Sequence, residues 1–185
     1  MAVKLAQRLI TAEEYYKMAE AGILGKEDRV ELIDGKIIEM SPIGSKHAGC
    51  VDKIVAVLNK MNLPDVLIRG QNPLRLSRYS EPEPDVAIVK FSTDYYSSMH
   101  PSAEDALLVI EVSDSSLEYD KEVKLPLYAS AKVPECWIVN LEKREIEAYH
   151  SPVEGRYKIS ELYLLDDEIN IKALGMAFKV DELIV

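Results

Sequence analysis

The chain has 185 residues, 48% of them hydrophobic and 29% charged, so we expect one folded domain spanning residues 1–185 rather than a disordered segment. The net charge of −10 argues against a protein that coats nucleic acid through Lys and Arg, although a carboxylate site that first binds a cation remains compatible with it. No apolar run approaches the roughly 20 residues that span a bilayer. Cys50 and Cys136 form no zinc pattern, so we expect a cytoplasmic protein with two buried free thiols.

The first forty residues predict a helix followed by a hairpin. Thr11 and Glu14 have the spacing of a capping box, and Gly22 ends the predicted helix. The segment RVELIDGKIIEM then predicts strands at residues 29–33 and 36–40. The Asp34-Gly35 pair between them is typical of a tight hairpin turn, so Asp34 is assigned to that turn.

The middle of the chain predicts one long helix and several short strands. The apolar stripe of residues 45–61 indicates a second helix, which begins close to His47. Short apolar runs at residues 66–69, 74–76 and 85–89 are strand candidates. We interpret His47 as an ordinary residue of the helix N-terminus, with an approach to a functional site as the alternative.

The second half of the chain predicts a β-α-β unit and then hairpins. Residues 107–112 form the most strand-like run. A helix that Ser115-Ser116-Leu117-Glu118 caps, and that ends near Ala131 with a kink at Pro126, leads to another apolar strand at residues 136–140. The segments EIEAYH, RYKISELY and EINI predict further hairpins and a terminal turn. This order predicts an α/β fold, with a mixed sheet flanked by helices.

Glu111 is the most informative residue of the sequence, because it interrupts an apolar strand in which a carboxylate is costly to bury without a partner. Either it reaches water at a strand end, or it is a buried metal ligand or catalytic acid. Asp85, which directly precedes another apolar strand, favours the second interpretation. Two carboxylates on adjacent strands repel each other unless a proton or a cation lies between them, and Mg²⁺ prefers such oxygen ligands.

The segment Glu-Pro-Asp85 followed by Val-Ala-Ile-Val, and Glu111-Val112-Ser113 after the next strand, resemble the PD-(D/E)XK nuclease superfamily, which has the restriction-endonuclease-like fold. The separation of 26 residues between Asp85 and Glu111 fits that pattern. Ser113, however, stands where the pattern has lysine. Together with VELIDGKI, PEPDVAIV, VIEVSDSS and AKVPECWIVN, these segments resemble the Uma-two family, whose members are labelled putative restriction endonucleases.

The resemblance implies that a helix lysine replaces the missing strand lysine, and the aligned motifs make this Lys124. Asp120, Lys124 and Tyr128 recur every four residues, so they are expected to share one helix face. A solvated ion pair on that face is the alternative interpretation of Lys124. Lys121, one turn earlier, is the alternative catalytic lysine.

The resemblance also implies the remaining site and its substrate. Glu31 matches an early acidic position, although an exposed strand residue is an equal alternative, and the Val112 carbonyl is a further candidate ligand. The implied activity is DNA hydrolysis with Mg²⁺, or with Mn²⁺ in its place, held by Asp85, Glu111, Val112 and Glu31. Glu31, Asp85, Glu111 and Lys124 are then the catalytic set. A homodimer is expected by analogy, and Gln71 is a candidate contact to the substrate backbone.

Two other classes of function compete with this prediction. A non-catalytic interaction or nucleic-acid-binding module on the same fold is favoured by the missing strand lysine and the acidic surface. A carboxylate-pair glycosidase would need aromatic residues along a sugar cleft, but the chain has one Trp and two Phe. Serine hydrolase chemistry is weaker still, because the sequence has no GxSxG motif.

Overall fold

A computed structural model describes residues 7–25 and 27–185 of the chain. The strands within these residues are Val30–Ile33 (β1), Lys36–Glu39 (β2), Val66–Gly70 (β3), Val86–Lys90 (β4), Ala106–Ser113 (β5), Glu135–Asn140 (β6), Glu145–Val153 (β7), Arg156–Tyr163 (β8), Glu168–Ile171 (β9) and Met176–Lys179 (β10). The helices are Ala12–Glu20 (α1), Ser45–Lys60 (α2), Leu117–Tyr119 (α3), the π-helix Asp120–Lys124, Leu125–Ser130 (α4) and Val180–Leu183 (α5). None of the helices in these two ranges is long and apolar enough to cross a membrane.

One six-stranded sheet, in the order β3-β4-β5-β6-β7-β8, organises the molecule. β5 and β6 are parallel, as expected for a β-α-β crossover, and the other neighbouring pairs are antiparallel. Two separate hairpins, β1-β2 and β9-β10, complete the strands. This mixed sheet with flanking helices confirms the predicted α/β fold class.

The two faces of the sheet are covered by different helices. On one face, Ile54 and Leu58 of α2 pack with Ile110 and Trp137 in a cluster that α5 and the β9-β10 hairpin extend. On the other face, Tyr128 of α4 packs against the β5 residue Val109. Because side chains alternate along a strand, Glu111 lies on the same face as Val109 and points towards α4.

Local sequence signals account for the first two elements. The predicted capping box is present, since Thr11 accepts from the Glu14 N–H and the Glu14 side chain accepts from the Thr11 N–H. Gly22, just after α1, has a φ of 72°. Asp34 and Gly35 have φ values of 48° and 71°, so both adopt the left-handed conformation that a two-residue hairpin turn requires.

Two local predictions were wrong. Residues 74–76 form no strand, because they lie in a loop where Arg75 makes a single bridge with Ser102. The side-chain cap predicted at residues 115–118 is not formed: Ser116 directly precedes α3 and makes no capping bond, and its hydroxyl donates to the side chain of Asp120.

The crossover helix is continuous but changes its winding at Asp120–Lys124. The Leu125 N–H bonds to the Asp120 carbonyl, five residues back, so this turn is a π-helix. Pro126 follows directly at the start of α4. A proline lacks an N–H and its ring clashes with the carbonyl four residues earlier, so the wide turn accommodates the ring without breaking the helix.

Candidate active site

A cavity of about 600 Å³ opens where the first hairpin, the start of α2, the ends of β4 and β5, and the π-helix meet. All four predicted catalytic side chains line it: Glu31, Asp85, Glu111 and Lys124. Seven acidic residues are part of its lining: Glu31, Glu39, Glu83, Asp85, Glu111, Asp114 and Asp120. Among the described lining residues, Arg29 and Lys124 are the Arg and Lys side chains that oppose this charge, so the cavity is strongly acidic.

Glu111 lies near the end of β5, and only 2% of its surface is exposed. The Tyr128 hydroxyl donates to its Oε1, and the Lys124 Nζ lies 3.3 Å from Oε1 and 3.4 Å from Oε2. Burial raises the pKa of Glu111 well above the ordinary glutamate value, and the nearby Asp85 carboxylate adds to this effect. The strand-end interpretation, in which Glu111 reaches water, is therefore wrong.

Lys124 bridges two carboxylates that are distant in sequence. Its Nζ lies 3.5 Å from Oε2 of Glu31 as well as beside Glu111. Burial opposes the charge on this amine, but the attraction of Glu111, Glu31 and Asp120 is larger in sum and raises the pKa of Lys124 above the ordinary lysine value. Lys124 is thus a buried ammonium rather than a member of a solvated ion pair.

Glu31 is buried in β1, and the hairpin carries it to the rim of the main sheet. Its Oε1 accepts from the Tyr119 hydroxyl at 3.2 Å, and its Oε2 accepts from the Glu83 N–H at 3.2 Å. These two bonds and the contact with Lys124 satisfy a carboxylate that is 2% exposed. The alternative of an exposed strand residue is wrong for Glu31.

Asp85 directly precedes β4, and the antiparallel register that pairs Val86 with Ile110 places it beside Glu111 on the same face. Its Oδ2 accepts from the Val112 backbone N–H at 2.8 Å and lies 3.0 Å from Nε2 of His47. This hydrogen bond raises the pKa of His47, although burial opposes the rise. His47 is in the first turn of α2, as predicted, but it also contacts the site, which the sequence interpretation did not favour.

Asp120 is a member of the site that sequence reasoning recognised only as part of a helix face. Its Oδ2 accepts from the Ser113 hydroxyl at 2.7 Å and from the Ser116 hydroxyl at 2.6 Å. Ser113 therefore occupies the strand position of the usual lysine and ties the π-helix, which carries Lys124, to the end of β5. Burial raises the pKa of Asp120, which its two serine hydrogen bonds oppose.

The predicted helix face is confirmed, since Asp120, Lys124 and Tyr128 are all buried against the sheet. Lys121 does not reach the cavity, because it pairs with Glu147 on β7. The alternative assignment of Lys121 is therefore not supported by its position. The contacts of Tyr119 and Tyr128 with the glutamates were missed because a tyrosine hydroxyl leaves no periodic signal in a sequence.

The donor chemistry of the cavity fits a hard divalent cation, because the carboxylates of Glu31, Asp85 and Glu111 are oxygen ligands and their combined charge exceeds that of Lys124. Within residues 7–25 and 27–185, however, no three Asp, Glu, His or Cys side chains already stand in a metal-binding arrangement. The Glu31 and Glu111 oxygens contact Lys124, and Asp85 contacts His47. A cation would therefore enter by displacing some of these contacts.

Known proteins resemble the chain in sequence and in fold. The family model Uma2, described as a putative restriction endonuclease, matches residues 12–181. The crystal structure of a putative nuclease belonging to DUF820 from Anabaena variabilis superposes with a TM-score of 0.74 at 16% sequence identity, and covers 94% of this chain and 97% of that chain. No curated protein matches the sequence significantly. The structural likeness supports the fold, and the family match, which covers most of the sequence, shows that the chain belongs to the Uma2 family of putative restriction endonucleases.

Proposed function

We propose that this protein is a divalent-metal-dependent endonuclease that hydrolyses phosphodiester bonds of DNA, and that residues 1–185 form one nuclease domain. The observation that carries the proposal is the meeting of Glu31, Glu111 and Lys124, all buried, with Asp85 in one acidic cavity. Burying several charges costs free energy, and clusters of this kind are common at functional sites.

Asp85, Glu111 and Glu31 are the side chains proposed to hold the cation. The Val112 carbonyl is the fourth candidate ligand. The Val112 N–H donates to Asp85, and the N–H and C=O of one strand residue point to the same side, so this carbonyl also faces the end of β4. Bound Mg²⁺, or Mn²⁺ in its place, would supply Lewis-acid polarisation of a phosphoryl oxygen and a bound water of lowered pKa.

Lys124 carries the positive charge of the proposed site. Its raised pKa keeps the amine protonated near neutral pH, so it acts by electrostatic stabilisation of a phosphoryl group that gains negative charge, and not as a base. Glu111 and Glu31 hold the ammonium at the site from two sides before a cation enters. Tyr128 positions Glu111 through its hydroxyl.

Cleavage of supercoiled plasmid DNA tests this proposal directly. The wild-type chain should nick or linearise the plasmid with Mg²⁺ or Mn²⁺ and stop when the metal is chelated. Asp85→Ala and Glu111→Gln should each lower the rate at least about 100-fold, since each removes a proposed ligand. Glu142→Ala, which removes an exposed carboxylate after β6, is the matched control and should cut normally. Cutting by Asp85→Ala at the control rate would refute the proposal.

We also propose a homodimer, because one site per subunit would let two subunits cut the two strands of a duplex. Size-exclusion chromatography with light scattering tests this part. A monomer at the protein concentration at which both strands are cut would contradict it.

A non-catalytic binding module on the same fold is the second candidate function. The absence of a ready-made group of three metal-binding side chains in the described residues favours it. Such a module would bind DNA or a protein without cleaving DNA in either metal, and its affinity would not depend on Asp85.

A further inference from the structure

A second cavity of about 240 Å³ lies between α1, the first hairpin and the segment that leads into β4. Its lining includes the aromatic rings of Tyr15, Tyr16 and His100 and the carboxylates of Glu81 and Glu83. Glu83 also lines the proposed active site, so the two cavities adjoin at this side chain.

The aromatic side chains of this cavity are held in place by their neighbours. The ring of Tyr16 is stacked with that of His100, with centroids 6.0 Å apart and an interplanar angle of 25°, and the Tyr15 ring meets it edge-on at 5.7 Å. The Tyr16 hydroxyl donates to Glu81, which also pairs with Arg75. A fixed aromatic wall of this kind suits a flat ring, because stacking needs little further ordering of the protein.

Two polar groups that line or adjoin this cavity are left without a partner. The Glu83 backbone N–H donates to Glu31, but among the described residues the Glu83 carboxylate has no hydrogen-bond or salt-bridge partner. Buried Nδ1 of His100 likewise has no partner in the described part of the chain. A carboxylate in a half-buried position is stabilised by a ligand that donates N–H groups, such as the exocyclic amine of a nucleobase.

The position of Glu83 connects this cavity to the proposed chemistry. Glu83 precedes Pro84, so its backbone is restricted to an extended conformation. Two extended residues span at most about 7 Å, and Asp85 is two residues further along. This distance is about two base steps along one DNA strand, at ~3.4 Å each.

We propose that the second cavity binds one unpaired or extruded nucleobase that carries an exocyclic amine, with cytosine as its best ligand, within about two nucleotides of the phosphate at Asp85. The inference rests on the proposed nuclease function and adds a base preference to it. The base packs against the aromatic lining of the cavity, and Glu83 accepts from its amine. Uracil has the same shape but offers a carbonyl oxygen in place of the amine, so the Glu83 carboxylate repels it.

Two duplexes that differ in one unpaired nucleotide, deoxycytidine or deoxyuridine, test the proposal with the full chain and Mg²⁺. The wild type should cleave beside the cytosine at least about fivefold faster than beside the uracil, which is the lower bound for one lost base contact. Glu83→Gln should bring this ratio to about one, because glutamine can also donate to the uracil carbonyl. Glu154→Gln, at an exposed turn far along the chain, should keep the wild-type ratio.

The outcomes separate this inference from the function on which it rests. Equal cleavage of the two duplexes by the wild type would overturn the base preference and leave the nuclease proposal intact. No cleavage of either duplex would overturn both. The ratio of the two cleavage rates is measured on the wild-type protein, so this measurement tests the inference even when Glu83→Gln fails to fold.

Discussion

Replacing Lys124 by methionine would leave two buried carboxylates without their cation. Glu31 and Glu111 are each 2% exposed, and the Lys124 Nζ lies 3.5 Å and 3.3 Å from their oxygens. Removing one partner of a buried ion pair costs about 3–5 kcal/mol of unfolding free energy. For a chain of this length we therefore expect Lys124→Met to lower Tm by roughly 6 to 20 °C.

The loss of stability in Lys124→Met should depend on pH in a defined direction. Burial already raises the pKa of Glu111, and Lys124 opposes that rise, so the variant will have a still higher pKa at Glu111. An acid whose folded pKa exceeds its unfolded value stabilises the fold at low pH and loses this contribution as pH rises through the folded pKa. The loss of unfolding free energy in Lys124→Met should therefore be larger at about pH 8 than at about pH 5.

Urea unfolding followed by the fluorescence of Trp137, the single and fully buried tryptophan, measures these differences. Lys158→Met, on the exposed side of β8, is the control for loss of a lysine and should change stability by less than about 0.5 kcal/mol. Mg²⁺ should restore part of the stability of Lys124→Met, because a divalent cation can replace the lost charge. A difference in unfolding free energy between Lys124→Met and the wild type of less than about 1 kcal/mol at both pH values would refute this account of the buried cluster.

Three further substitutions test single contacts by urea unfolding. Tyr128→Phe removes the hydroxyl that donates to Glu111 and should lower the unfolding free energy by about 1.5–3 kcal/mol; an unchanged value would show that the bond contributes nothing. Ser113→Ala leaves Asp120 with one serine donor fewer and should lower the unfolding free energy by about 1–2 kcal/mol; an unchanged value would show that water replaces the hydroxyl without loss. Gly35→Ala should cost at least about 1 kcal/mol, because φ is 71° and the new Cβ would lie 2.6 Å from another Cβ; wild-type stability would contradict this turn geometry.

Much of the fold could be predicted because its signals are local. The Thr11 cap and the Asp34-Gly35 turn are set by side-chain chemistry within a few residues, and the apolar runs of β5 and β6 are unambiguous. The strand predicted at residues 74–76 was wrong, because a run of three residues is too short to show a periodicity that distinguishes a strand from an extended loop.

The candidate site was predicted less completely, because its contacts join distant segments. The spacing of Asp120 and Lys124 indicated one shared helix face. It could not show the π-helix, which depends on a backbone hydrogen bond between residues five apart. The Ser116 hydroxyl can accept from an N–H of the helix N-terminus or donate to Asp120, and only the fold determines which bond forms. The role of Glu83 between two cavities likewise has no sequence signature.

Calorimetric titration of the metal-free protein with Mn²⁺ tests most directly whether the acidic residues of the first cavity act together as a cation site. We predict saturable binding by the wild type and by Glu142→Ala, and a loss of affinity of at least about tenfold in Asp85→Ala and in Glu111→Gln. Mn²⁺ binding of equal strength in the wild type and both site variants, or no binding by the wild type, would contradict a metal-dependent site at Asp85 and Glu111.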